Sequence, residues 1–159
     1  MKIANIWKLI ISIILPLSVG AVAGMFTSMA IPEWYAGLRQ PSFNPPNWIF
    51  GPVWTTLYIV MGFSFFLIWK MEATKERNRA ILIYLVHLLL NFGWSFFFFY
   101  FKVIGIALIE IIMLWSTIVI MLISFYRLKP LAAYMNIPYL LWVTFATALN
   151  AAYFFLNRG

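Results

Sequence analysis

Cysteine is absent from this chain, so disulfides, thiolate metal sites and cysteine nucleophiles are all excluded. Charge is scarce: four acidic residues and one histidine stand against eleven lysines and arginines. His87 is the one imidazole, and Glu110 is the one carboxylate deep within an apolar run. A single imidazole and a single such acid cannot assemble a catalytic triad, a carboxylate pair or a closed metal site. No metal and no required cofactor is therefore expected, and any chemistry must come from aromatic side chains or from a ligand. Soluble composition is missing too: charged residues make up 9% of the 159, against about a quarter in ordinary soluble domains.

What is present instead is apolar and aromatic, at 65% hydrophobic residues and 20% Phe, Trp and Tyr. A membrane-spanning helix takes about 20 apolar residues, so five spans with short loops use nearly the whole length. The expected fold is all-α: an integral membrane bundle of five transmembrane helices, one domain over residues 1–159. The spans fall at about 7–29, 48–69, 80–101, 103–126 and 131–156, with an ordered lid loop at about 30–47.

The net charge of +7 does not point to nucleic acid, because the basic residues are scattered between apolar runs and form no stripe. They set orientation instead. Lys2, Lys8, Lys70, Lys75, Arg77, Arg79, Arg127 and Lys129 fall on one side of such a bundle, and Arg39, Lys102 and Arg158 on the other. The positive-inside rule then predicts a cytoplasmic N-terminus, with the lid loop and C-terminus on the opposite side.

Within the first span, Ala21-Val22-Ala23 resembles a signal-peptidase site, but apolar sequence continues past it and no cleavage is expected. Pro16 predicts a kink. Gly20-x-x-x-Gly24, with Ser28 one turn on, offers a small-residue groove for close helix approach, within the molecule or between two copies. Residues Lys70–Arg79 form the one strongly charged run and read as a solvated turn. Lys102 marks a tight turn, and Pro138 predicts a bend one-third of the way along the fifth span.

The run from Trp34 to Trp54, WYAGLRQPSFNPPNWIFGPVW, is neither a spanning helix nor a solvated linker. Prolines at 41, 45, 46 and 52 stiffen it, and Arg39 is its one charge. Pro45-Pro46 forces extended or turn backbone, after which Asn47 is the expected N-cap of a helix opening at Trp48. Pro52 then sits in the first turn or so, where a missing N–H costs little. The indoles of Trp34 and Trp48 suit the headgroup level, while Trp54 and Tyr58 lie deeper on one face. The segment is expected to cap a cavity, with Trp34, Tyr35, Pro45 and Phe50 among the residues around a ligand.

Polar groups inside spans are costly, and helical spacing shows which of them share a face. His87, Asn91, Trp94 or Ser95, and Phe98 do so in the third span. Ile106, Glu110, Met113 and Thr117 do so in the fourth, and Tyr139, Trp142, Ala146, Leu149 or Asn150, and Tyr153 in the fifth. With Trp54 and Tyr58 these predict a mostly aromatic cavity, carrying a few amides, for a flat hydrophobic ligand with polar tips. Alternatives stand beside each. Asn91 and Asn150 would serve equally as interhelical hydrogen-bonding residues. His87 reads as a packed histidine or an axial haem ligand. Glu110 reads as a neutral acid, a carboxylate paired to an amide, or part of a proton or substrate path.

The words WYAGL, PSF-NPP-NW and GPVWTTLY-x-x-MG, then LNFGWSFFFF at Leu90–Phe99, KPLAA at Lys129–Ala133 and PYLLWVTFATALN at Pro138–Asn150, resemble the TspO/MBR family of tryptophan-rich sensory and translocator proteins. The resemblance runs over nearly the full chain. It implies a five-helix bundle, usually a homodimer, in a bacterial cell membrane, whose cavity binds protoporphyrin IX and other tetrapyrroles, cholesterol-like sterols, and isoquinoline or benzodiazepine-type drugs. Trp54 and Trp142 match the pair linked in that family to light-dependent porphyrin breakdown, and Asn91, Trp94, Ala146 and Leu149 match other cavity positions. Ile106 stands where animal members carry tryptophan, and the sterol consensus is met by Leu149, Tyr153 and Arg158 with the tyrosine displaced by one. The expected function is a membrane receptor or sensor for porphyrins. The alternatives are a transporter of porphyrins or sterols and an enzyme degrading porphyrin in light.

Overall fold

The structure, a computed structural model, describes residues 3–158; Lys2 lies outside them. It contains five helical stretches long and apolar enough to cross a membrane: Asn5–Tyr35, Asn47–Trp69, Lys75–Tyr100, Ile104–Leu128 and Pro130–Leu156. Helices are the form such sequence must take in lipid, where each backbone N–H and C=O has to find its partner within the segment. The chain is an integral, multi-pass membrane protein with an all-α fold.

Helix α1, Ile3–Ala30, runs on into a π turn, Ile31–Tyr35. A loop leads to a short 3₁₀ turn, Asn47–Ile49, and α2, Phe50–Trp69. Asn47 is not the cap expected of it. Pro46 holds the N-cap position with extended backbone, and no side chain caps the turn. The rigid Pro45-Pro46 pair already turns the chain, so Asn47 enters the first helical turn itself. Pro52 is the third residue of α2, near the start of the helical stretch, where a missing N–H costs little.

Helix α3, Lys75–Ser95, continues into a second π turn, Phe96–Tyr100. It starts within the charged run read as a turn, because Thr74 Oγ1 accepts from the Arg77 N–H at 3.1 Å and so caps it. Lys102 then turns the chain with φ 60°, and α4 spans Ile104–Leu128. The fifth span is broken rather than bent. Helix α5 is Pro130–Tyr134 and α6 is Ile137–Leu156, each with its proline in the first turn. Proline is tolerated there and disruptive inside, so Pro138 begins a helix instead of kinking one. Between them Asn136 is fully buried, its Nδ2 donating to Ala132 O and to Ser64 Oγ of α2.

Two features join α1 to α2. A Cβ at Gly62 would stand 2.6 Å from Ser12 O and 2.7 Å from Ile13 Cα, so the helices touch backbone to backbone there. At the same end Lys8 Nζ and Arg77 Nη2 donate to Trp69 O at 3.4 and 2.7 Å, placing cations on the C-terminus of α2 where its dipole is negative. Phe65 stacks on Tyr84 at 4.2 Å, and Met61, Ile68, Ile111, Ile118 and Met121 fill the core around them. A second cluster, including Tyr35, Phe98, Phe99, Ala107, Leu149 and Tyr153, closes the lid end.

Candidate ligand cavity

Between these two clusters a cavity of about 580 Å³ opens. Four elements wall it. Helix α1 supplies small residues, Gly20, Ala21, Ala23, Gly24, Thr27 and Ser28. Helix α2 supplies Phe50, Gly51, Trp54, Thr55 and Tyr58; α3 and its π turn supply Trp94, Ser95, Phe98 and Phe99. Helix α6 supplies Trp142, Ala146, Leu149, Asn150 and Tyr153, while Tyr35 and Asn47, at the two ends of the lid loop, complete the wall. A side-chain carbon added at Gly24 or Gly51 would meet nothing within 4 Å, so these glycines create volume. At Gly20 the added carbon would overlap the Tyr58 ring, so that glycine admits the ring to the wall.

The aromatic lining is ordered by its own contacts. Trp54 stacks on Tyr58 at 5.4 Å, Trp94 on Phe98 at 5.3 Å, and Phe50 meets Trp142 edge to face at 6.0 Å. Polar groups in the wall and behind it are mostly paired to each other. Tyr58 O–H donates to Asn91 Oδ1 at 2.7 Å, and Asn91 Nδ2 donates to the Tyr139 hydroxyl at 3.1 Å. Trp94 Nε1 donates to Asn150 Oδ1 at 2.9 Å, and Asn150 Nδ2 to Ile104 O at 3.2 Å. Two donors of wall residues, Trp142 Nε1 and the Tyr153 hydroxyl, have no partner among the described residues. The result is a greasy chamber with flat faces and few free polar groups, suited to a flat apolar ligand.

Several residues singled out by helical spacing stand elsewhere. Asn91 and Tyr139 lie outside the wall: Asn91 is behind Tyr58, its amide taken up by the Tyr58 and Tyr139 hydroxyls, and Tyr139 is buried. His87 is fully buried with Nδ1–H donating to Tyr84 O at 2.6 Å and its ring 5.6 Å from Tyr139; it packs below the cavity. Glu110 is buried against α3, with Oε1 3.3 Å from where a Gly93 Cβ would be, and neither carboxyl oxygen has a partner among the described residues. Trp34 packs edge to face on Phe98 at 5.5 Å, and Pro45 sits in the loop, neither in the wall. Ile106 and Met113 are 49% and 53% exposed, facing away from the bundle. The buried stripe of α4 is Ala107, Glu110, Ile111, Leu114, Ile118, Met121 and Phe125. Glu110 therefore faces into the bundle, while Ile106 and Met113, on either side of it, turn outward.

Helix α1, to which periodicity gave no ligand contacts, also belongs to the wall. Gly20, Gly24 and Ser28 read as a groove for another helix, yet they line the cavity. Small residues one turn apart leave room without saying what fills it. Among the described residues no group of three or more His, Cys, Asp or Glu could hold a metal ion.

Comparison with known proteins places this geometry. The family model described as "TspO/MBR family" matches residues 12–156. The chain is 37% identical over 153 residues to the tryptophan-rich protein TspO of Archaeoglobus fulgidus, covering 96% of this chain and 99% of that protein. It is 38% identical over 130 residues to the human translocator protein, covering 80% and 76%. To the tryptophan-rich sensory protein of Cereibacter sphaeroides it is 33% identical over 118 residues, covering 74% and 73%.

Proposed function

Because this chain belongs to the TspO/MBR family, and is thus a membrane sensor or binding protein, we propose that its cavity binds protoporphyrin IX and related tetrapyrroles. The observation that carries this reading is the wall itself. About 580 Å³ lined by the indoles of Trp54, Trp94 and Trp142 is within the range of small-molecule sites, about 300–1,000 Å³, and offers flat faces to a flat macrocycle. Aromatic rings stack on such a face. Sterols and isoquinoline or benzodiazepine-type ligands are a secondary expectation, since Ile106 points outward rather than at a ligand.

Light-dependent degradation belongs to the same proposal. Trp54 and Trp142 both face the cavity, where a photo-excited porphyrin can take an electron from an indole, and molecular oxygen is the oxidant that breakdown of the macrocycle consumes. The proposed setting is the bacterial cell membrane, N-terminus cytoplasmic, as a homodimer. Transport is the competing reading.

The test is a titration of the purified protein with protoporphyrin IX, first in the dark and then under illumination. Quenching of tryptophan fluorescence at micromolar ligand is expected, followed in light by loss of the porphyrin spectrum that Trp54→Phe or Trp142→Phe slows. Absence of quenching overturns the binding reading. Quenching without spectral loss leaves a binder and removes the degradation. Porphyrin appearing inside protein-containing vesicles, and not in protein-free ones, favours transport.

A further inference from the structure

The loop of residues 36–46 lies outside the cavity wall but holds both of its ends, Tyr35 and Asn47, in that wall. Among the described residues, one side chain joins it by hydrogen bonds to the fold beyond its own flanking turns. That residue is Asn157, the C-cap of α6. Its Oδ1 accepts from the Arg39 N–H at 2.9 Å, and its Nδ2 donates to Arg39 O at 3.1 Å. The same Nδ2 donates to Tyr153 O at 2.9 Å, which anchors the amide in the last turn of α6. One primary amide thus pairs both main-chain groups of Arg39, 118 positions away in the chain.

We propose that Asn157 is a latch: by clasping the Arg39 peptide it holds the lid loop shut and sets how fast a ligand leaves the cavity. The inference rests on the ligand-binding reading above and adds its control. The clasp reaches the wall through a chain of contacts. Next to Arg39, Gln40 Oε1 accepts from Asn44 Nδ2 at 3.1 Å, and Asn44 Oδ1 accepts from the Tyr35 hydroxyl at 2.9 Å. Tyr35 in turn packs on Tyr153, one helical turn before Asn157, with ring centroids 5.2 Å apart. Pinning Arg39 therefore fixes Tyr35 against the wall from both directions. Once released from Asn157, the loop keeps the Tyr35–Asn44 hydrogen bond and two apolar anchors, the Phe43–Phe145 contact at 6.3 Å and Leu38 against the lid-end cluster. Arg39 is exposed, so water replaces the lost bonds on its peptide and the core is untouched. A side chain here acts on the loop rather than on the fold, and Asn157 is a positioning residue.

The experiment uses the full chain in lipid nanodiscs, as wild type, Asn157→Ala and Asn157→Asp, with protoporphyrin IX in the dark. Two rates are measured: amide hydrogen exchange over residues 36–46, and loss of porphyrin to an excess of ligand-free vesicles, monitored by recovery of tryptophan fluorescence. Asn157→Ala is expected to speed both, dissociation by about tenfold, with association and the unfolding midpoint close to wild type. Asn157→Asp keeps the acceptor for the Arg39 N–H and loses the donor, so it should fall between. Exchange that does not change refutes the clasp, and faster exchange with unchanged dissociation refutes its control of the cavity. If wild type takes up no porphyrin, the binding reading fails and this gate with it, a result distinct from either.

Discussion

Gly62 and Gly24 are the same residue type on facing helices with opposite jobs. The space around Gly62 is closed by backbone, Ser12 O at 2.6 Å and Ile13 Cα at 2.7 Å from an added carbon, and backbone cannot swing aside. Gly62→Ala is expected to push α1 off α2 and to cost about 1–3 kcal/mol, read as a lowered unfolding midpoint in detergent. Around Gly24 there is nothing within 4 Å. Gly24→Leu should fill the chamber rather than strain it, leaving the unfolding midpoint in place while weakening protoporphyrin IX binding by about tenfold or more. An unchanged affinity would mean that the ligand does not reach α1.

The elements owe their limits to a few side chains at their ends. Thr74 gives α3 its first turn, and Thr74→Ala should lower stability by about 1 kcal/mol while leaving ligand affinity alone, because the cap is at the far end of α3 from Trp94. A drop in affinity without a drop in stability would contradict this. The two π turns do the reverse and serve the cavity. Ile31–Tyr35 and Phe96–Tyr100 each carry wall residues, Tyr35 in one and Phe98 and Phe99 in the other. One extra residue in a turn rotates the side chains beyond it about the helix axis, and such turns are frequent at functional sites. The break before α6 is similar in effect: it frees Asn136 to tie α5 to Ser64 and starts the helix bearing Trp142 afresh.

For the whole molecule the open prediction is orientation. Lys8, Lys70, Lys75, Arg77, Arg79, Arg127 and Lys129 gather at one end of the bundle, and Arg39, Lys102 and Arg158 at the lid end. Since the chain has no cysteine, single introduced ones report cleanly. In intact cells, Gln40→Cys in the lid loop is expected to react with a membrane-impermeant maleimide, and Ala73→Cys in the α2–α3 turn only after lysis. The opposite pattern would invert the topology.

The amino-acid sequence by itself determined that this protein lies in a membrane as helices. Apolar runs of that length must satisfy their backbone internally, and the proline-rich lid and tryptophan words were legible as motifs. Helical spacing also grouped Trp54 with Tyr58, and Trp142 with Ala146, because residues three or four apart share a face on any helix. Only the tertiary structure decided which neighbour each face meets. It turned Ile106 and Met113 outward, put His87 and Asn91 behind the wall, and opened Gly24 onto empty space while closing Gly62 against a carbonyl. It also brought Asn157 to Arg39 across most of the chain. Periodicity fixes relative angles within one helix, whereas a cavity and its latch depend on how several helices are rotated and spaced against one another.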